Sequence, residues 1–213
     1  MDLIRFFIFV FIFSIGIVLF KIIKNSVMRS GRNLFICMKL IIKRIYRLLK
    51  VKNRSEFVWN DLLKHHKEAE LNFGQFDNDR HTEISFPIEN GIVVKFNYSV
   101  TNDELQFSSI VLPSFDEEKT NDILVLASHF NGLLNFGVVK VSLKYNYVEF
   151  TYSGGLVTYM LYSGEIDSDL RTHYDLTKDC VWAFLNLLET GDDPVFVFSE
   201  LLQRRENNKQ EDS

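Results

Sequence analysis

The adjacent histidines His65 and His66 are the residues whose type and spacing first indicate chemistry. Imidazole is a common metal ligand and acid–base group, and the carboxylates Asp61 and Glu70 lie four residues to either side. On a helix, this spacing forms two neighbouring histidine–carboxylate pairs. Adjacent helical residues point about 100° apart, so one ion is poorly placed to take both rings. We therefore interpret the pairs as a solvated polar face and expect no metal.

A second group of oxygen ligands lies at Asp167-Ser168-Asp169, with Glu165 and Asp175 nearby. Such side chains can hold a hard cation. The twelve-residue calcium-loop pattern is absent, however. The DxD motif of glycosyltransferases needs a nucleotide-binding α/β domain, which this sequence does not indicate. If this loop met His65 and His66 in the fold, the alternative function would be a membrane-associated enzyme with a His/Asp site.

The other reactive side chains do not form a recognisable motif. Ser153-Gly154-Gly155 lacks the strand-to-helix context and the Lys-Ser/Thr pair of a phosphate loop, so it predicts a turn. Cys180 is expected as a buried, inert thiol on an apolar helical face. Cys37 is either a palmitoylation site or a plain interfacial residue. The sequence therefore predicts no catalytic residues and no cofactor.

Charge divides the chain at Arg54. Residues 1–55 contain 12 Lys and Arg and one acidic residue, whereas residues 56–213 contain 12 Lys and Arg and 27 acidic residues. The formal net charge of −4 therefore conceals a basic arm joined to an acidic body. We expect a transmembrane anchor at 1–24, a basic juxtamembrane segment at 25–54, a globular domain at 55–202 and a disordered tail at 203–213.

The apolar run from Leu3 to Ile23 predicts a single transmembrane helix. Its 21 residues span about 31 Å, enough for a bilayer core of about 30 Å if Arg5 and Lys21 extend toward the headgroups. A cleaved signal peptide is the alternative, but no small-x-small cleavage site follows the run. Because the basic residues are concentrated after the span, the C-terminal domain should face the cytoplasm at the inner membrane.

Residues 33–50 predict an amphipathic helix on the membrane surface rather than a second span. Burying its cations in hydrocarbon would cost on the order of 10 kcal/mol. Packing of this helix on the globular domain is the alternative. Nucleic-acid binding is not expected, because stacking aromatics and a known recognition fold are absent. The predicted contacts with anionic lipid are Lys39, Lys43, Arg44, Arg47 and Lys50.

Hydrophobic periodicity predicts the elements of the acidic domain. A helix capped by Ser55 is expected at 55–71, followed by a loop at 74–79. Alternating residues around Asn90-Gly91 indicate a β-hairpin, with Pro87 placing its first strand at the sheet edge. A third strand completes a meander, and the remaining predicted elements are a helix with a capping box at Ser114 and Glu117, three strands at 138–145, 147–152 and 156–162, a loop at 163–173, and a helix at 177–189.

Runs of strands joined by short turns indicate an α+β domain, with helices covering one face of an antiparallel sheet. This order of elements, together with His129-Phe130-Asn131 and VVKVSLKYNYVEFTYSG, resembles the YbjN family of bacterial sensory transduction regulators over about residues 55–202. That family is similar in fold to type III secretion chaperones. The resemblance implies a small protein-binding domain that is often dimeric, and it brings no catalytic motif.

The function expected from the sequence is therefore a single-pass, membrane-anchored, cytoplasm-facing module that binds another protein and is not an enzyme. Besides the His/Asp enzyme, a third hypothesis is an immunity-type inhibitor. Its acidic domain would be steered toward a basic target by long-range electrostatics. The protein partner itself is not identified by any motif.

Overall fold

A computed structural model describes residues 53–88, 91–162 and 164–211, with side chains through residue 207, and in addition the helical positions Lys39, Ile42 and Tyr46. The chain divides into two units, Met1–Lys52 and Asn53–Ser213. Within the described residues, no helix combines the length and the apolar composition that crossing a membrane requires. The predicted span at 3–23 lies outside those residues.

The predicted lipid contacts also lie mostly outside the described part of the chain. Lys39 is described as an exposed helical residue. Lys43, Arg44, Arg47 and Lys50 are not among the described residues. The six-stranded sheet lies in the second unit, Asn53–Ser213.

Helix α1, Arg54–Glu68, is the first element of that unit. Its cap is Asn53 rather than the predicted Ser55. The Asn53 side chain accepts a hydrogen bond from the Glu56 amide at 3.1 Å and another from the Ser55 hydroxyl at 2.9 Å. Satisfying a free amide at the first turn stabilises a helix by about 1 kcal/mol. The helix buries Val58, Trp59, Leu62, Leu63 and His66.

Six strands form one antiparallel sheet in the order β1-β2-β3-β4-β6-β5. The predicted three-strand meander is confirmed as β2, β3 and β4. β1 corrects the prediction of a loop at 74–79, since a four-residue strand that contains glycine has too little alternation to be recognised. The strands are β1 Phe73–Phe76, β2 His81–Pro87, β3 Val93–Val100, β4 Glu104–Leu112, β5 Val138–Ser142 and β6 Tyr147–Gly155.

Pro87 lies where the sheet can accept a residue without an amide proton. β1 pairs with β2 only from His81 to Ile84, so the prediction of β2 as an edge strand is wrong for that half. The Ile88 amide donates to the Ile92 carbonyl of the neighbouring chain segment at 2.6 Å. Because donors alternate along an antiparallel strand, the nitrogen of Pro87 faces away from β3, beyond the end of β1. The proline therefore breaks no ladder hydrogen bond.

The two faces of the sheet differ in burial. Side chains of one set of alternating positions are buried beneath helices, and we call this the covered face. The residues between them form the open face, which is polar at its centre. The covered face includes Ile84, Phe96, Tyr98, Phe107, Ser109 and Phe150, and the open face includes Asn97, Ser99, Gln106, Ser108, Thr151 and Ser153.

The chain after β6 differs most from the prediction. The predicted strand at 156–162 is helix α3, Leu156–Leu161, whose buried residues Leu156, Tyr159 and Met160 have helical spacing. The predicted loop at 163–173 is the first half of helix α4, Glu165–Thr190. The buried stripe of α4 contains Asp169, His173 and Thr177. Because polar residues occupy these buried positions, the hydrophobic periodicity did not predict the first half of the helix.

Two further helices complete the fold. Helix α2, Thr120–Leu133, follows a 3₁₀ turn at Glu117–Lys119 and has no side-chain cap, so the predicted capping box does not form. Helix α5, Pro194–Glu211, continues through most of the segment predicted as a disordered tail. Arg205 explains the extension, because its guanidinium bonds the Asp179 carboxylate of α4 at 2.6 and 2.7 Å.

The described residues thus form an α+β fold with a six-stranded antiparallel sheet and five helices. Helix α4 packs on β4 and β6, α1 contacts β3, and α2 packs along β5. The arrangement leaves a space over β2 and β3 between α1 and α4.

Candidate functional site

A groove with a volume of about 500 Å³ occupies this space between α1 and α4. Cavities of this size accommodate a small ligand or a few side chains of a bound polypeptide. The strands supply the floor, the end of α1 supplies one wall and α4 supplies the other. The apolar lining comprises Ala69, Leu71, Ile84, Phe86, Tyr98, Leu170 and Tyr174.

Aromatic contacts fix the floor of the groove. The Tyr174 ring meets the Phe86 ring edge-on with the centroids 5.7 Å apart, and it stacks on the Phe96 ring at 5.8 Å. Phe86 and Phe96 also meet edge-on at 5.5 Å. Each such pair contributes about 0.5–1.5 kcal/mol beyond its buried area. These contacts hold the rings in fixed positions, so the floor is preorganised for a ligand.

The α4 rim of the groove carries Asp167, Arg171 and Asp175, which are spaced four residues apart and so share one stripe of the helix. The Arg171 Nε atom donates to the Asp167 carboxylate at 3.0 Å. Asp175 forms no ion pair with another residue that the structure describes. Burial is the main cause of the raised pKa of Asp179, and the charge of Asp175 adds to it. Among the described residues, the rim therefore retains one carboxylate without an ion-pair partner, that of Asp175.

The groove lining brings His65, His66 and Asp167 together, the residues that the sequence offered for an enzyme site. His66 is fully buried, and its Nε2 atom lies 3.2 Å from the Thr82 hydroxyl. Burial, assisted by the charge of His65, lowers the pKa of His66 to about 4. Within the described residues, no hydrogen bond joins either histidine to Asp167. These residues therefore share the groove lining, but the described hydrogen bonds do not connect them into an acid–base relay.

Asp169 does not face this groove, although it is only two residues from Asp167. Its carboxylate accepts a hydrogen bond from the Tyr159 hydroxyl at 2.7 Å. Burial raises the pKa of Asp169, and the Tyr159 hydrogen bond opposes that shift. The predicted acidic loop is thus a helix whose carboxylates point to different surroundings. Among the described residues, no group of three or more His, Cys, Asp or Glu side chains is arranged to hold a metal ion.

A serine–histidine contact elsewhere in the domain looks like a nucleophile and its base. The Ser109 hydroxyl lies 3.3 Å from His173 Nε2 and 2.7 Å from the Thr177 hydroxyl. All three side chains are fully buried, and among the described residues His173 Nδ1 has no hydrogen-bond partner to orient the ring. Burial lowers the pKa of His173 to about 3. Four aromatic rings, those of Phe96, Tyr98, Phe107 and Phe150, surround it with centroids 5.2–5.7 Å away.

A nucleophile needs access to substrate. These side chains are fully buried, so we assign the cluster to the core. The same holds for Cys180, which is fully buried on α4 as the sequence predicts. Burial raises the pKa of its thiol above the usual range.

Sequence reasoning missed the wall of the groove. Arg171 fell in the predicted loop at 163–173, and Tyr174 lay between that loop and the helix predicted at 177–189. No face of a helix was therefore available on which to place them. The signal that could have found the wall is the buried series Ile166, Asp169, His173, Thr177 and Cys180, which repeats every three or four residues once polar members are admitted.

No protein-family model matches the chain, and no curated protein matches it either.

Proposed function

We propose that this chain is a membrane-tethered, cytoplasm-facing module that binds a segment of another protein in the groove between α1 and α4. The observation that carries the proposal is the groove itself, with its apolar lining and aromatic floor. Exposed apolar concavities of this kind are the default binding sites of soluble domains.

The chemistry of the groove favours binding over catalysis. Its buried histidine is held as a neutral ring, and its remaining charged groups sit at the rim rather than around a common point. A general acid or base must lie within hydrogen-bond reach of the proton that it moves. The lining thus offers shape and apolar area, which are the terms that dominate protein recognition.

The tether rests on the N-terminal sequence. The apolar run at 3–23 has the length of a membrane span, and the cations that follow it favour a cytoplasmic C-terminal domain. The resemblance to the YbjN family and to secretion chaperones agrees with a protein-binding role on an α+β domain. Tethering would concentrate the groove at the membrane surface, where effective concentration raises the occupancy of a weak site.

Site-specific photo-crosslinking tests the binding site. Benzoylphenylalanine replaces His65 in the full-length chain in bacterial cells, and adducts are identified by mass spectrometry. We expect one discrete protein adduct that Ala69→Trp removes, because Ala69 is exposed in the lining and an indole there fills the groove. Glu118→Trp, at an exposed position outside the groove, is the matched control and should retain the adduct.

The absence of an adduct, or an adduct equally strong in the Ala69→Trp variant, would refute binding in the groove. The tether is tested separately by alkaline carbonate extraction and by protease treatment of spheroplasts. We expect the chain in the membrane pellet, and digestion of its C-terminal domain only after permeabilisation. Digestion in intact spheroplasts would show the opposite orientation.

A further inference from the structure

We infer that the groove selects a segment in which an aliphatic or aromatic side chain is followed closely by Lys or Arg. This inference rests on the proposed function and adds the chemical class of the partner. The apolar floor, the charges on the rim and the net charge of the domain support it.

The floor determines the anchor. Ile84, Phe86 and Tyr174 present carbon-rich surface at the base of a space of about 500 Å³, enough for one large apolar side chain and parts of its neighbours. Burying such a side chain removes its apolar surface from water, which favours binding. A polar anchor would lose its water at this carbon-rich base. The buried His66 beside it contacts the Thr82 hydroxyl through Nε2, and its Nδ1 atom has no hydrogen-bond partner among the described residues.

The rim determines the neighbouring charge. Arg171 is engaged by Asp167 at 3.0 Å, so the cation of the rim is already compensated. Asp175, one turn further along α4, is left as a carboxylate without an ion-pair partner among the described residues. An acidic group on the bound segment would meet this like charge, whereas Lys or Arg would meet an opposite one. Asp175 is exposed, and a pair of this type at a surface is worth up to about 1 kcal/mol, or up to roughly fivefold in affinity.

The charge of the whole domain acts in the same direction. Residues 56–213 contain 27 acidic and 12 basic residues, so a basic segment is attracted from a distance and an acidic one is repelled. Long-range attraction raises the association rate without choosing a site. The preference for a basic residue at the groove itself must therefore come from Asp175. The experiment has to distinguish this local effect from the long-range attraction.

Peptide display separates the two effects. Full-length protein in nanodiscs of neutral phosphatidylcholine is used to select from a phage library of random peptides. One selected peptide is then synthesised in three versions, with its Lys or Arg retained, replaced by Gln, or replaced by Glu. Affinities are measured by fluorescence anisotropy for the wild type, Asp175→Asn, Asp175→Lys and the control variants Glu118→Gln and Glu118→Lys, which change the net charge equally outside the groove.

We expect the selected peptides to place Leu, Ile, Phe or Trp next to Lys or Arg. Asp175→Asn should weaken the basic version roughly fivefold and leave the Gln version unchanged. Asp175→Lys should reverse the order and favour the Glu version, while the Glu118 variants change affinity far less. Equal effects of the Asp175 and Glu118 substitutions would overturn the inference, since the preference would then come from net charge alone.

The outcome for Ala69→Trp distinguishes the inference from the proposed function. Peptides that lose binding in this variant but show no preference for Lys or Arg overturn only the inference. Peptides that bind the variant unchanged, or a selection that yields none, overturn the proposed function as well.

Discussion

The covered and open faces of the sheet are built from the same strands, yet they have different roles. On β4, Phe107 is buried against Tyr98, Tyr152 and His173, while the next residue, Ser108, belongs to the open face. The covered face is filled with aromatic rings and closed by α4, except over β2 and β3, where it forms the groove. In the part of the chain that the structure describes, the groove proposed for binding is therefore a stretch of the covered face that the helices leave open.

The largest expected effect comes from truncating neighbours on opposite faces. Phe107→Ala should lower the free energy of unfolding by about 3–5 kcal/mol, because it removes a ring with 1% exposure from a packed core. Ser108→Ala should change it by less than about 0.5 kcal/mol. Chemical denaturation of the two variants measures both values. Similar losses at the two positions would contradict the division between the faces.

The second expected effect concerns pH and the buried histidines of the covered face. Burial lowers the pKa of His173 to about 3 and that of His66 to about 4, so both rings are neutral in the folded protein. An unfolded histidine takes up a proton near pH 6.5. The stability they contribute is therefore complete above pH 6.5 and falls as the pH drops toward their folded-state pKa values. Each should cost about 2 kcal/mol between pH 7 and pH 5.

Denaturation at several pH values measures this loss, and His173→Gln should reduce its slope. If that variant does not fold, the ring resonances of the wild type still test the claim. They should remain those of neutral imidazole down to pH 5, and a titration of either buried ring near pH 6.5 would contradict it.

Two adjacent glycines provide a third comparison of the faces. A Cβ atom on Gly154 would overlap the ring of Tyr159, which is buried and bonded to Asp169, whereas one on Gly155 would meet nothing within 4 Å. Gly154→Ala should therefore destabilise the domain by about 1–3 kcal/mol, and Gly155→Ala should stay within about 0.5 kcal/mol of the wild type. Thermal denaturation distinguishes them. Equal melting temperatures would show that Tyr159 moves aside without cost.

The comparison of faces also explains what the sequence could predict. Alternation identified β3 and the buried positions of Phe96 and Tyr98, because one face of these strands is apolar and the other is polar. It predicted the second half of α4 but failed for the first half, where Asp169 and His173 occupy buried positions and find partners only in the folded state. The groove wall lies on that helix. Predicting it requires admitting polar residues to the buried series, and the burial of those residues depends on tertiary hydrogen bonds.

The smallest expected effect tests the edge of the sheet, which belongs to neither face. The Asn131 carboxamide of α2 donates to the Val139 carbonyl at 2.9 Å and accepts from the Val139 amide at 2.7 Å, so it occupies the place of a neighbouring strand on β5. Asn131→Ala should cost about 1 kcal/mol, since water can replace part of this pairing. Asn121→Ala on the same helix is the control, with the same change in helix propensity.

The freed backbone of β5 should also favour pairing between molecules, because an uncovered edge strand is a template for another strand. Sedimentation velocity should then show concentration-dependent association for Asn131→Ala and none for Asn121→Ala. If Asn131→Ala matches the control in both stability and association, the carboxamide contacts β5 but does not protect its edge from pairing.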